Sequence, residues 1–109
     1  MPLFAILARD KPDHLDLRMA TRESHLMHLR SLGDRLIAAG PTLDADGRPN
    51  GSLVVIAADD RQAAEAFAEA DPYSKAGLFA VADVRPWNAL LGTWVESDDD
   101  GDDARDEEE

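Results

Sequence analysis

Two apolar runs, RLIAAGPTL and SLVVIAA, flank the stretch DADGRPNG within residues 35–58. Eight residues so rich in Asp, Gly, Pro and Asn between two such runs predict a hairpin tip. The first strand is expected to end near Gly40–Pro41, and the return strand carries β-branched residues at its centre. A central hairpin commits the chain to antiparallel pairing and leaves each flank to cover it. Upstream, PLFAILAR is short, apolar and bounded by Pro2 and by Asp10–Pro12, which predicts a buried strand. It is followed by DHLDLRMATRESHLMHLRSLGD, with Leu15, Met19, Leu26, Leu29 and Leu32 at helical spacing and Gly33 as a stop. Whether Ala20–Thr21 divides this helix is left open by the pattern. Downstream, DDRQAAEAFAEAD predicts an acid-capped helix with Ala63, Ala66, Phe67 and Ala70 on one side. DPYSKAG reads as a connection, and LFAVADVRPW as a last strand stopped by Pro86. NALLGTWV is either a further short strand or a docked terminal segment.

The order β-α-β-β-α-β specifies an α+β fold of the ferredoxin-like type, an antiparallel sheet with both helices on one face. Residues 1–95 form this domain, and 109 residues suffice for one core but not two. The uncovered sheet face calls for a second copy, so a homodimer is expected. Trp87 and Trp94 either contribute to that contact or pack the last strand.

The net charge of −12 is concentrated at one end. Ten of the 23 acidic residues and one of the 11 basic ones fall between Glu96 and Glu109. Residues 96–109 therefore read as an acidic disordered tail, serving as a solubiliser, a contact for a basic partner or dispensable decoration. An acidic chain without a basic stripe argues against nucleic acid. No stretch reaches the roughly 18 apolar residues of a membrane span, and the N-terminus lacks the basic lead of a signal peptide. The absence of cysteine rules out thiolate chemistry and fits a reducing, cytoplasmic setting.

Three histidines are available. On a helical wheel Leu15, Met19, Leu26 and Leu29 lie within about 80° of one another, with Arg18, Arg22 and His25 on or beside that stripe. His28 lies at its edge and His14 near the helix start. Buried charge needs partners, so such a row fits the border of a cleft better than a plain core; the alternative is a satisfied rim histidine beside snorkelling arginines. A metal held by His25 and His28 lacks third and fourth ligands, so no metal is expected. Asp71 sits where the second helix ends, poorly matched to that helix's dipole. Two roles stand open for it: capping its own DPY turn, or orienting a histidine.

Four pieces in order, R-x-x-HL at Arg22–Leu26, A-GP at Ala39–Pro41, GS at Gly51–Ser52 and DPY-x-x-AG at Asp71–Gly77, resemble the YciI-like (YCII-related) family over residues 3–87. The resemblance implies a dimeric α+β barrel with a His–Asp pair in a cleft, here His25 and Asp71, and assigns no role to His28. Some relatives are linked to degradation of chlorinated aromatics as cofactor-independent dehydrochlorinases. The wider superfamily includes muconolactone isomerases and cofactor-free monooxygenases.

Two functional readings follow. In the first, the chain is a cofactor-independent enzyme of lyase or isomerase type in which His25, oriented by Asp71, is general base and acid for a small anionic or aromatic molecule. Arg22 or Arg18 would hold an anionic group, Ser52 and Tyr73 would donate hydrogen bonds, and Gly51 would let substrate approach the backbone. In the second, the chain is a non-catalytic metabolite-binding or protein-interaction module.

Overall fold

The computed structural model describes residues 1–93 and 95; Trp94 and the acidic segment 96–109 lie outside the described residues. The elements are β1 (Leu3–Asp10), α1 (Leu15–Arg30), β2 (Leu36–Leu43), β3 (Pro49–Ala57), α2 (Arg61–Glu69), α3 (Pro72–Lys75) and β4 (Phe79–Trp87), with one 3₁₀ turn at Gly33–Arg35. The four strands form one antiparallel sheet in the order β2-β3-β1-β4, the ferredoxin-like arrangement expected from the order of elements.

Strand alternation sorts the two faces. Phe4, Ile6 and Ala8 of β1 lie opposite Ile56, Val54 and Ser52 of β3, and all six are buried. With Val84 of β4, Leu29 of α1 and Ala64 of α2, the apolar members of this set form the core between sheet and helices. The opposite face carries Leu7 beside Leu53, together with Val81 and Trp87, each left 38–52% exposed.

α1 runs unbroken through Ala20–Thr21. Its buried residues are Arg18, His25 and Leu29, while Met19 is 56% exposed. The face turned to the sheet is thus rotated from the apolar stripe expected, because Arg18 and His25 meet buried carboxylates there. Met19 and Leu26 are released to the wall of a cleft. α2 is capped by Asp60, whose Oδ1 accepts from the Ala63 N–H at 2.8 Å. It packs through Ala64, Phe67 and Ala68 rather than through Ala63, Ala66 and Ala70.

Three further expectations are corrected. DPYSKAG is not a plain connection: Pro72 occupies the first position of α3, where a missing N–H costs nothing. Gly77, at φ +79, ends that turn. β2 continues past Gly40–Pro41 to Leu43. β4 likewise passes through Pro86, because it is an edge strand and tolerates a residue without a donor. Among the described residues after Trp87 there is no further strand, and Leu90 and Leu91 stand exposed.

Candidate active site

Two turns of α1 separate Arg18 from His25, and the pair brackets the chemistry of the molecule. Asp71 precedes α3 in extended backbone and its Oδ1 accepts from the Tyr73 N–H at 2.9 Å, the geometry of a helix N-cap. Both oxygens of the same carboxylate lie 2.9 Å from His25 Nδ1. The two roles open for Asp71 in the sequence are therefore filled together. Its position is also electrostatically sound, since it caps the start of α3 as well as following the end of α2.

An ionised carboxylate only accepts, so Nδ1 carries the hydrogen and donates to Asp71. In the neutral imidazole this leaves the lone pair on Nε2. Asp71 is buried behind His25, and His25 lines a cavity of about 490 Å³ between α1 and the β2–β3 end of the sheet. A cavity-lining imidazole backed by a carboxylate on Nδ1 is the arrangement of a general base.

Tyr73, the only tyrosine in the chain, is 1% exposed. Its ring stacks on the His25 imidazole with centroids 3.9 Å apart and planes 15° apart. The Arg18 guanidinium carbon lies 4.6 Å from the same ring's centroid, a cation–π contact. Phe79 meets the ring edge-on at 6.0 Å. Burial raises the phenol's pKa above its ordinary 10.0, against the pull of Arg18 and Arg22 toward the phenolate.

Arg18 is buried and engaged through Nε and Nη2. Its Nε donates to Asp10 Oδ2 at 2.7 Å, and its Nη2 donates to the Gly51 carbonyl at 2.7 Å and to Ser52 Oγ at 2.6 Å. It therefore braces β1, β3 and Tyr73 while also lining the cavity. Ser52 lines the cavity and, having accepted from Arg18, keeps its own O–H to donate. Gly51 serves packing: a Cβ there would collide with the Ala8 carbonyl and the Thr42 hydroxyl, and the residue does not line the cavity. Arg22 is exposed at the cavity wall and makes no side-chain hydrogen bond or ion pair among the described residues.

The other histidines point elsewhere. His28 Nε2 lies 2.9 Å from the Phe67 carbonyl and its ring stacks on Phe67, so it joins α1 to α2 and does not converge with His25. His14 Nδ1 contacts the Pro12 carbonyl. Sequence reasoning missed Asp10, although strand parity places it on the side of Phe4, Ile6 and Ala8, facing α1. It also missed Arg30, which lines the cavity.

A ferredoxin-like sheet carrying a buried His–Asp pair at the wall of a cleft defines a small α+β protein with one candidate site among the described residues. The chain matches the YCII-related domain over residues 2–88 and belongs to that family. It is 38% identical over 97 residues to Protein YciI of Escherichia coli O6:H1, a match covering 82% of this chain and 99% of that protein. It is 37% identical over 96 residues to an uncharacterised protein of Haemophilus influenzae, covering 81% and 98%. Among solved structures, it resembles the 5-chloro-2-hydroxyhydroquinone dehydrochlorinase of Burkholderia phenoliruptrix in complex with 2,5-dihydroxybenzoquinone. That similarity has a TM-score of 0.75 at 35% identity, over 79% of this chain and 93% of the other. Protein Atu4242 from Agrobacterium tumefaciens, with TM-score 0.52 and 15% identity over 83% and 94%, shares the fold alone. The family thus contains a small-molecule enzyme. Among the described residues no helix is long and apolar enough to cross a membrane.

Proposed function

We propose that this chain is an acid–base enzyme acting on a small, acidic, enolisable molecule, with His25 as the proton-transferring group and Asp71 as its positioning residue. The observation that carries the reading is the contact of His25 Nδ1 with both Asp71 oxygens at 2.9 Å, beside a ligand-sized cavity. His25 Nε2 takes a proton from the bound molecule, and Asp71 stabilises the imidazolium that results. Arg22 holds the developing negative charge, and the Ser52 hydroxyl donates to an oxygen of the substrate. The electron pair released from the broken bond to hydrogen becomes a new double bond. If a ring or enol carbon bears a leaving anion, Nε2 first delivers the proton taken from a hydroxyl to that carbon, making it tetrahedral. A second hydroxyl proton is then removed, its electron pair forms a new C=O, and the anion departs with its bonding pair, for a net loss of HX. Without a leaving group, Nε2 returns the proton to another carbon and the product is an isomer.

The dehydrochlorinase likeness supports the first outcome, and 2,5-dihydroxybenzoquinone gives a scale for the occupant. The reaction as written uses no cofactor. The exposed apolar residues of the outer sheet face, Leu7, Leu53, Val81 and Trp87, support assembly as a homodimer, each copy covering the other's sheet.

The test is chloride release from 5-chloro-2-hydroxyhydroquinone together with binding of 2,5-dihydroxybenzoquinone. The wild type is expected to bind the quinone saturably and release chloride. His25→Ala should bind but release none above background, and Arg22→Gln should bind more weakly. Binding by the wild type with unchanged turnover in His25→Ala would overturn the assignment.

A further inference from the structure

The cavity has a charge pattern that one proton-transfer centre does not explain. It lies in a chain of net charge −12, yet among the described residues it is lined by three arginines and no carboxylate. Arg18 is held by Asp10, Gly51 and Ser52 through Nε and Nη2. Arg22 and Arg30 are exposed, and neither has a side-chain hydrogen bond or ion pair among the described residues. They stand eight residues apart on α1, about 12 Å along its axis and about 80° around it; His25 falls between them along the axis, about 60° around it from Arg22 on the side away from Arg30. The wall between is apolar: Leu26 and Leu29 from α1, Leu36 and Ala39 from β2. A cation in the last turn of a helix is favoured by the dipole, which accounts for Arg30's place in the sequence. It does not account for a second unpaired guanidinium on the same cavity.

We infer that Arg30 is a second anion anchor, so that the substrate is a small dianion with an acidic group at each end of a short apolar body, one end on Arg22 and the other on Arg30. This rests on the reading that the cavity is the substrate site and narrows the class of molecule it takes. A flat ring or enol with carboxylates on opposite sides matches the pattern, since a guanidinium fork pairs with a carboxylate through two N–H donors. The reacting hydrogen would then lie between the anchors, opposite His25.

The experiment compares three probes by calorimetric titration at fixed ionic strength: hydroquinone, 2,5-dihydroxybenzoate and 2,5-dihydroxyterephthalate, with none, one and two carboxylates. NMR of the labelled His25 imidazole reports whether each probe occupies the cavity. Each added carboxylate is expected to tighten binding about three- to tenfold, the range for a partly exposed charge-assisted pair. Arg30→Gln should erase the step from one carboxylate to two, and Arg30→Lys should restore part of it. Arg61→Gln, which removes the same charge from α2, should leave the step intact. If probes perturb His25 but the terephthalate binds no better than the benzoate, the dianion assignment is overturned and the proton-transfer reading stands. Equal loss in Arg61→Gln would also overturn it, by showing a general field rather than an anchor. If no probe perturbs His25, both readings fail.

Discussion

Asp71 holds His25 and caps a helix with the same carboxylate: Oδ1 accepts from the Tyr73 N–H while both oxygens face His25 Nδ1. Fold and proposed chemistry therefore meet in one side chain, and substitution can separate them. Asparagine remains a good N-cap and its carbonyl still accepts from Nδ1–H, but it cannot balance an imidazolium. Asp71→Asn is expected to stay folded within about 1 kcal/mol of the wild type. It should lose activity by about 10²–10⁴-fold once a substrate is in hand. Asp71→Ala loses the cap and strands a buried imidazole donor, at a combined cost of about 2–4 kcal/mol. Urea unfolding of the two variants, with equal losses for both, would contradict this division.

Tyr73 is a built-in reporter, because no other tyrosine contributes to the phenolate absorbance. Burial raises its pKa above 10.0 in the native state. In unfolded chain the phenol titrates near its ordinary value, so above that pH the native state keeps a proton the unfolded state has lost. This contribution to stability is complete below pH 10 and falls as pH rises through the native pKa. An ultraviolet titration should place the native midpoint above 10.0, and denaturant unfolding should show stability declining only beyond that pH. A midpoint at or below 10.0 would contradict the buried placement.

Arg18 and Asp10 form an ion pair at 2.7 Å with side chains 5% and 6% exposed. Removing one member of a buried pair leaves an uncompensated charge at about 3–5 kcal/mol. Arg18→Met should incur that loss, and Asp10→Leu should also be destabilising. The double variant should be more stable than the sum of the two, because neither charge is then stranded. Additive losses in chemical denaturation would show that the two side chains act separately.

Leu53 lies beside Leu7 on the outer sheet face and is 38% exposed. Under the homodimer proposal, Leu53→Glu buries a charge against the second copy. Sedimentation analysis should find the wild type dimeric and this variant largely monomeric at the same concentration. A monomeric wild type would remove the proposal.

Strand and helix order was legible because each apolar run carried its own period and each boundary its own Pro, Gly or Asp. The pairing of His25 with Asp71, 46 residues apart, came only from the family resemblance; the residues alone left Asp71 open between capping its turn and orienting a histidine. The true rotation of α1 was not legible. Met19 and Leu26 outrank Arg18 and His25 on any hydrophobic scale, and only their buried partners, Asp10 and Asp71, turn the polar residues inward. Gly51 looked like a place for substrate to approach the backbone, whereas the carbonyl of Ala8 on the neighbouring strand occupies that space. α3 was hidden because four residues are too few to show a helical period, although Asp71 followed by Pro72 is a cap followed by a first-turn proline.

The central claim is that His25 moves protons on a molecule held in the α1 cavity. Proton transfer can be read before the natural substrate is found, by following hydrogen–deuterium exchange at the ring carbons of 2,5-dihydroxybenzoquinone in heavy water by NMR. Wild-type protein is expected to accelerate exchange, with His25→Ala slower by about 10²–10⁴-fold while still binding the quinone. Equal exchange rates with wild type and His25→Ala, at saturating binding of both, would contradict the account.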